Sequence, residues 1–411
     1  MIKLDLIQTV AFAGAMLFLG YGLRRLVPSL ARVNIPAAVC GGLPVAAVVA
    51  LFRASGHQVL AFDTTLQVPL QNGFFASIGF AASLSLLRQG GPTVMVFFLL
   101  AALVAALQNV IGAACAWVLG QPPLMGVLAG SVTLTGGPAT GLAFAPLFEQ
   151  AGVPGAASLA VASAMVGIVA GGVIGGPIGT FLIERMGRKP MKGRAPDGTL
   201  ENVAEGQFVE PVIATPAGED VEAYTLTKHL VFMLAAIALG LWVSSALTAW
   251  LKQFNMTLPG YIGAMIVAAV FRNLDDATGM FGLSQRIIDD IGTVALSLFL
   301  VMALMTLRLW ELAGVVIPLL VILFCQVVFI AAVCLLAIPR LMGRDYDAVV
   351  MTTGFCGFML GTTANAVANM GALVERYGPA PKAYLVVPLV GAFGIDFINA
   401  LLITAFLNIW R

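Results

Sequence analysis

Residues 131–141 read SVTLTGGPATG, with adjacent glycines, a proline and several hydroxyl side chains between two long apolar segments. Glycine and proline disfavour a continuous helix. Non-helical backbone at membrane depth leaves polar groups unpaired unless protein or a water-filled cavity surrounds it. The stretch therefore predicts a helix break inside a membrane protein rather than a simple crossing.

The composition supports this prediction. The chain has 411 residues, of which 60% are hydrophobic and 10% charged, whereas a soluble domain has about a quarter of its residues charged. The formal net charge of +1 gives no reason to expect a nucleic acid partner. We expect an all-α polytopic membrane protein in contact with membrane lipid.

Ten apolar runs are predicted to be transmembrane helices. They lie at residues 6–23, 35–52, 70–87, 93–118, 156–183, 229–251, 258–271, 291–307, 314–338 and 383–407. A second broken stretch, GFCGFMLGTTANAVANM at 354–370, resembles the first in its glycine and hydroxyl content. We predict a re-entrant hairpin around each stretch, at about 124–150 and 349–376.

The two halves of the chain resemble one another. NIPAAVCGG (34–42) corresponds to TLPGYIG (257–263), and APLFEQAG (145–152) corresponds to GALVERYG (371–378), in the same order. The sequence therefore predicts one repeat at 1–183, a linker at 184–228 that is rich in charge, Pro and Gly, and a second repeat at 229–411. Each repeat has five predicted crossings, an odd number, so the repeats must have inverted topology.

The basic residues predict the orientation. If the N-terminus lies outside, most of the 21 Lys and Arg residues fall in inside loops, as membrane insertion favours. We therefore expect the N- and C-termini outside and the linker in the cytoplasm.

The two hairpin tips are the predicted substrate site. No Lys or Arg lies at the centre of a predicted crossing, so an anion would be held by backbone N–H groups at half-helix N-termini and by nearby polar side chains. The predicted substrate-binding residues are Ser131, Thr135, Gly136, Gly137, Thr140, Gly361, Thr362, Thr363, Asn365 and Asn369.

A coupling-ion site is predicted in the last crossing. Asp396 is a carboxylate well inside an apolar run, and Asn399 follows on the same helical face. Their oxygens suit Na⁺, which would be the coupling ion. Gln108 and Asn109 are either further ion ligands or helix–helix hydrogen-bonding residues.

Three motifs resemble the glutamate:sodium symporter family: PLMGVLAGSVTLTGGPATG (123–141), ALSLFLVMALMTLRLWELAG (295–314) and VVPLVGAFGIDFINALL (386–402). The resemblance covers nearly the whole chain. It implies Na⁺-coupled uptake of L-glutamate, no enzymatic activity, no cofactor beyond the coupling ion, and a homodimer in the bacterial inner membrane. The chain departs from the family pattern at Pro138, Ala139, Phe355, Ala364 and Asn365, so the expected substrate is L-glutamate or a closely related amino acid or dicarboxylate.

Two other classes of function compete with this interpretation. One is a cation/proton antiporter of inverted-repeat type, which would normally need a more acidic core than Asp396 alone. The other is a membrane-embedded enzyme that uses the aspartate pairs at 275–276 and 289–290. For a symporter we expect an elevator mechanism, in which residues 6–52 and 229–271 form a scaffold and the remaining helices move with the hairpins.

Overall fold

The computed structural model describes residues 2–32, 34–55, 60–89, 91–186, 221–251, 253, 259–312 and 314–410. In the first half of the chain the helices are α1 (Leu6–Leu26), α2 (Pro28–Arg32), α3 (Ala37–Ala54), α4 (Gln67–Ala81), α5 (Leu84–Gln89), α6 (Gly91–Val118), α7 (Pro123–Val127), α8 (Gly137–Gln150) and α9 (Ala156–Arg185). In the second half they are α10 (Val221–Leu251), α11 (Gly260–Thr278), α12 (Gln285–Met305), α13 (Val316–Leu336), α14 (Ile338–Leu341), α15 (Tyr346–Leu360), α16 (Thr363–Tyr377), α17 (Pro381–Phe393) and α18 (Ile395–Ile409). A π-helical turn, Leu128–Val132, follows α7, and a 3₁₀ turn, Leu309–Leu312, precedes α13. Two short parallel strands, β1 (Ile2–Lys3) and β2 (Leu60–Ala61), pair with each other.

Within the described residues, seven helical segments are long and apolar enough to cross a membrane, or eight if the bent pair α17–α18 is one crossing. The chain is therefore a multi-span membrane protein. The prediction of ten crossings exceeds this number. Each of the seven segments coincides with one predicted run, and these runs are 6–23, 35–52, 93–118, 156–183, 229–251, 291–307 and 314–338.

The three other predicted crossings differ from the structure for identifiable reasons. The run at 70–87 ends as α4 at Ala81, because the Asn273 amide bonds the backbone on both sides of a break: it donates to Ala82 O (2.8 Å) and accepts from Leu84 N (2.9 Å). The run at 258–271 continues as α11 to Thr278 and carries charged residues in its last turns. The run at 383–407 breaks at Gly394, with a bend of 42° between its two parts.

The predicted linker lies mostly outside the described residues. Of the range 184–228, the structure describes the end of α9 at Arg185, residue 186 and the first turns of α10 from Val221.

The helices fall into two compact units. Of the described residues, the first unit takes those within Met1–Val27, Pro36–Leu86 and Val209–Leu309, and the second takes those within Pro28–Ile35, Leu87–Phe208 and Trp310–Arg411. The first unit thus contains α1, α3, α4, α10, α11 and α12, while both hairpins belong to the second. The sequence-based grouping was wrong for α4 and α12, which were expected to belong with the hairpins but pack on α11 and α3, respectively, in the first unit.

Two close helix crossings in the first unit form a matched pair, one from each half of the chain. A Cβ added at Gly20 in α1 would strike the backbone of Ala37 and Gly41 in α3, and one added at Gly240 in α10 would strike the backbone of Gly263 and Ala264 in α11. Glycine lets the backbones approach this closely, as small residues do in membrane helices. The matched crossings occur at positions related by the predicted duplication.

The core of the first unit is apolar, and one edge of the unit carries a polar network. Phe80, Met233, Ala264 and Ile288 belong to one buried cluster. At the edge, the buried Asp275 carboxylate accepts backbone N–H groups from residues 281, 282 and 283 at 2.7–2.9 Å.

Three of the four aspartates considered for an enzyme have structural partners. Asp276 pairs with Arg272 (2.9 Å) and accepts the Ser83 hydroxyl (2.5 Å), and Asp289 accepts the Gln285 amide (2.7 Å). Together with the backbone N–H groups that Asp275 accepts, these contacts give Asp275, Asp276 and Asp289 a structural role, whereas Asp290 is exposed.

Candidate functional site

The first hairpin breaks at the stretch singled out in the sequence. Gly130 has non-helical backbone angles (φ −101°, ψ −132°) inside the π turn, and the Thr133 hydroxyl donates to Leu128 O over 2.7 Å. Residues 135 and 136 lie between the helical segments, and α8 begins at Gly137, where φ is +67°. An L side chain is strained at this angle, so glycine suits the turn.

The second hairpin has a similar construction. Its two helices, α15 and α16, are separated by Gly361 and Thr362, and the Thr362 side chain accepts the Asn365 N–H as an N-cap (3.4 Å). The Tyr346 hydroxyl at the start of α15 donates to Gly378 O beyond the end of α16 over 2.5 Å. The chain therefore leaves the second hairpin next to where it entered.

The two hairpin tips meet beside the middle of α9. A Cβ added at Gly167 would lie 2.5 Å from both Leu134 Cδ2 of the first hairpin and Leu360 O of the second. A Cβ added at Gly137 would lie 3.6 Å from Thr362 Cγ2. The structure thus places the two predicted breaks together.

The hairpins lie along opposite halves of α9. In the first turns of α9, Ala160 contacts Gly141 of α8, whereas beyond the tips Gly175 packs on Asn369 and Gly179 on Thr353. The base of the first hairpin is therefore at the N-terminal end of α9, and the base of the second is toward its C-terminal end.

Helix α6 also packs along both hairpins, and it runs in the opposite direction to α9. Its Phe97 stacks edge-to-face on Phe355 of α15, with 5.4 Å between ring centroids, and its Gly112 touches Gly126 of α7. Because the end of α6 and the start of α9 both lie at the base of the first hairpin, the first hairpin also returns to the side from which it starts.

Gln108 of α6 connects the two tips. Its Nε2 donates to Met359 O in the second hairpin (2.9 Å), and its Oε1 accepts the Thr135 hydroxyl of the first (2.7 Å). Gln326 of α13 donates from Nε2 to Gln108 O (2.7 Å). These side chains are buried, so their hydrogen bonds replace water contacts that the site cannot provide.

A second group of amides surrounds Ser131. Its N–H donates to Asn109 Oδ1 (3.0 Å), and its carbonyl accepts Asn399 Nδ2 of α18 (3.0 Å). The structure therefore brings together three residues that the sequence assigned partly to substrate and partly to ion binding. Asp396 lies one helical turn before Asn399.

The asparagines of α16 bond the backbone of α9. Asn365 Nδ2 donates to Ile168 O (2.8 Å), and Asn369 Nδ2 donates to Gly171 O (3.0 Å). Asn365 is in the first turn of α16, at the tip. Asn369 is one turn farther along α16 and lies at the interface between the second hairpin and α9.

Most of the predicted site residues cluster around the tips. Those at the tips or in contact with tip residues are Ser131, Thr135, Gly136, Gly137, Thr140, Gly361, Thr362, Thr363, Asn365, Gln108, Asn109 and Asn399. Gln326 was not predicted, although the sequence carries a signal for it: it is the one amide side chain of α13, a helix described in full.

The positions that depart from the family pattern do not all lie at the tips. Phe355 is buried in the middle of α15 against Phe97, before the tip of the second hairpin. Pro138 is in the first turn of α8, and Ala364 is exposed in the first turn of α16. These two positions, with Ala139 and Asn365, belong to the tips.

The tips are electrostatically suited to an anion. The N-termini of α8 and α16, with 14 and 15 residues, meet there, and the partial positive charge of a helix N-terminus attracts negative groups. The one basic side chain of the two hairpins, whose residues are all described, is Arg376 in the last turn of α16. Backbone N–H groups are therefore the main source of positive potential at the tips.

The fold and this paired-hairpin site define the class of a multi-span helical membrane protein with a buried polar centre. The sequence matches the family model described as sodium/glutamate symporter over residues 2–379. The chain is 40% identical over 397 residues to the sodium/glutamate symporter of Haemophilus influenzae, covering 96% of this chain and 95% of the relative. It is 39% identical over 408 residues to that of Escherichia coli K12, covering 99% and 98%.

The chain belongs to the sodium/glutamate symporter family. Among solved structures, the sodium proton antiporter MjNhaP1 of Methanocaldococcus jannaschii aligns over 98% of both chains with 15% identity and a TM-score of 0.42. That likeness is too low to carry an argument about function.

Proposed function

We propose that the chain is a secondary transporter that couples Na⁺ entry to uptake of L-glutamate, or of a closely related amino acid or dicarboxylate. The observation that carries the proposal is the meeting of the α8 and α16 N-termini at the hairpin tips. The names of the relatives support Na⁺ and glutamate as the transported solutes.

The substrate would lie between the tips. Backbone N–H groups near Gly137 and Gly361 would face its carboxylates, and Thr135, Thr140 and Thr362 would complete its polar shell. Thr363 and Asn365 would contribute from α16. Gln108 would act as a brace, because both ends of its amide already bond the hairpins.

The coupling ion would bind next to the substrate, at Asp396 and Asn399. A carboxylate in an apolar helix carries a high desolvation cost, which a bound cation offsets. Asn399 is attached to the first hairpin through Ser131, so an ion at this place would act on the tip that holds the substrate.

The contacts along α9 support the inverted-repeat arrangement. Hairpins based at opposite ends of one helix would enter the membrane from opposite sides, the first from outside and the second from the cytoplasm. We propose this topology, with both termini outside, in a homodimer of the bacterial inner membrane.

The division into two compact units supports an elevator mechanism. Every candidate ligand lies in the second unit, so movement of that unit as one body would carry the site across the membrane without exposing unpaired hairpin backbone to lipid. Spin labels at the exposed positions Glu149 and Asp290, one in each unit, should change their separation when Na⁺ and glutamate bind. A control pair at Glu149 and Glu375, both in the second unit, should keep its separation; a change in the control pair alone would contradict the mechanism.

The transport proposal is tested by uptake into proteoliposomes. Labelled L-glutamate, L-aspartate, a four-carbon dicarboxylate and L-alanine would be compared under an inward Na⁺ gradient and an equal K⁺ gradient. We expect Na⁺-driven accumulation of glutamate or of another anion in the panel. Cation exchange against a proton gradient, without solute uptake, would instead support the antiporter alternative.

A further inference from the structure

The backbone of Ser131 is fixed on both sides. Its N–H donates to Asn109 Oδ1, and its carbonyl accepts both Asn399 Nδ2 and the Gly136 N–H (2.9 Å). Ser131 follows the non-helical Gly130, so its position depends on these tertiary bonds rather than on a regular helix. The serine is fully buried.

Two side-chain oxygen atoms, one of Ser131 itself and one of its partner Asn399, have no hydrogen-bond partner among the described residues. They are Ser131 Oγ and Asn399 Oδ1, and both side chains are fully buried. Because Oδ1 and Nδ2 of Asn399 share one carbon, the bond from Nδ2 to Ser131 O keeps the whole amide group, including Oδ1, near the backbone of Ser131. Burying unpaired oxygens carries a substantial free-energy cost unless a ligand or hydrogen bond compensates it.

Oxygen atoms are the ligands that hard cations prefer. Asp396 precedes Asn399 by three residues in α18, so its carboxylate is on the same face of the helix. A hydroxyl, an amide carbonyl and a carboxylate together provide both the ligand type and the negative charge that a monovalent cation needs. Asn109 Nδ2, which also has no partner among the described residues, is a donor and does not suit a cation.

We propose that Ser131 Oγ and Asn399 Oδ1 are two ligands of the coupling Na⁺, with Asp396 balancing its charge and Asn109 acting as a positioning residue for Ser131. This assignment rests on the proposed Na⁺-coupled transport and moves Ser131 from the substrate shell to the ion shell. The ion then joins the first hairpin to α18.

The chain offers a matched control for Ser131. Ser158, in the first turn of α9, also has a buried hydroxyl without a partner among the described residues, but it lies toward the base of the first hairpin. Replacing either serine by alanine removes one buried hydroxyl. A difference in Na⁺ response between the two variants therefore reports the loss of a hydroxyl at the proposed ion site rather than the loss of a buried hydroxyl in general.

Two measurements test the assignment. The first is the Na⁺ concentration for half-maximal uptake at saturating substrate, and the second is the rise in Tm of the purified protein in NaCl relative to choline chloride. For Ser131→Ala we expect the half-maximal Na⁺ concentration to rise at least about tenfold, as for loss of a contact to a charged group, and the Na⁺-dependent rise in Tm to shrink. Ser158→Ala should match the wild type in both.

A variant of nearly unchanged size covers the case in which Ser131→Ala does not fold. Ser131→Cys replaces a hard oxygen by soft sulfur, and we expect the same loss of Na⁺ response. If the Ser131 variants respond to Na⁺ as Ser158→Ala does, the hydroxyl serves only packing or a buried water, and this inference is overturned. If the wild type itself shows no Na⁺-dependent uptake or stabilisation, the proposed function fails instead.

Discussion

Gln326 and Gln108, one from each half of the chain, are joined by a 2.7 Å hydrogen bond from the Gln326 side-chain amide to the Gln108 carbonyl oxygen. The Gln108 side chain then bonds Thr135 and Met359, one in each hairpin. The two glutamines therefore form a buried chain of hydrogen bonds from α13 through α6 to both tips.

Replacing Gln108 by methionine should impair transport strongly. The change keeps a similar side-chain volume but removes the hydrogen bonds to Met359 O and to the Thr135 hydroxyl, at about 1 kcal/mol or more for each bond. The Thr135 hydroxyl then keeps only the weaker acceptor Met359 Sδ, at 3.6 Å. We expect the initial rate of glutamate uptake to fall at least about tenfold, as for a loss above 1.4 kcal/mol. Gln326→Met leaves both tip bonds in place and should retain more uptake; equal losses in the two variants would contradict the brace.

Replacing Asp396 by asparagine should weaken the response to Na⁺. The variant keeps the shape of the side chain but removes its charge, so we expect uptake at low Na⁺ to fall ten- to about a hundredfold, as for a lost charged contact of roughly 1.5–3 kcal/mol. Asn408→Ala, near the end of the same helix, is the control. Normal uptake with unchanged Na⁺ dependence in Asp396→Asn would exclude Asp396 from the ion site.

Adding a methyl group at Gly167 should separate the hairpin tips from α9. The new Cβ would clash with Leu134 and with Leu360 O, and overpacking of this kind costs about 1–3 kcal/mol. We expect a lower Tm and little uptake. Gly172→Ala in the same helix has nothing within 4 Å of its added Cβ, so it should leave the Tm unchanged or raise it by the helix preference of alanine; similar behaviour of both variants would contradict the contact.

The bases of the two hairpins should be accessible from opposite sides of the membrane. Glu149 and Glu375 are exposed, and each lies near the base of its hairpin. In a background without the five native cysteines, Glu149→Cys should react with an impermeant thiol reagent from outside, and Glu375→Cys only from the cytoplasmic side. Reaction of both from one side would disprove the inverted arrangement.

Local sequence predicted the long crossings and both hairpin breaks, because apolar length and the placement of glycine are local properties. It could not predict the end of α4, which depends on the distant Asn273 amide. Gly394 within an apolar run also gave no indication of a bend, since an isolated glycine is often tolerated in a membrane helix.

For the candidate site, the sequence identified most of the polar residues but not the hydrogen bonds between them. Ser131, Asn109 and Asn399 were all identified as polar residues at depth, but the hydrogen bonds between them depend on the packing of α18 against the first hairpin. Asn369 was predicted to contact substrate, and in the structure its side-chain amide bonds the backbone of Gly171. A list of polar residues does not determine which of them face a ligand and which face another helix.

The hydrogen bonds of the tips also impose an order on biosynthesis. The partners of the second hairpin, Gln108 of α6 and Ile168 of α9, are synthesised before it, so its polar groups meet prepared partners as it emerges. The first hairpin, in contrast, receives one bond to the carbonyl of Ser131 from Asn399 of α18, which is synthesised after both hairpins. Until α18 packs against the hairpin, the Ser131 carbonyl has the Gly136 N–H as its hydrogen-bond donor among the described residues. The packing of α18 then adds the second donor and completes this tip.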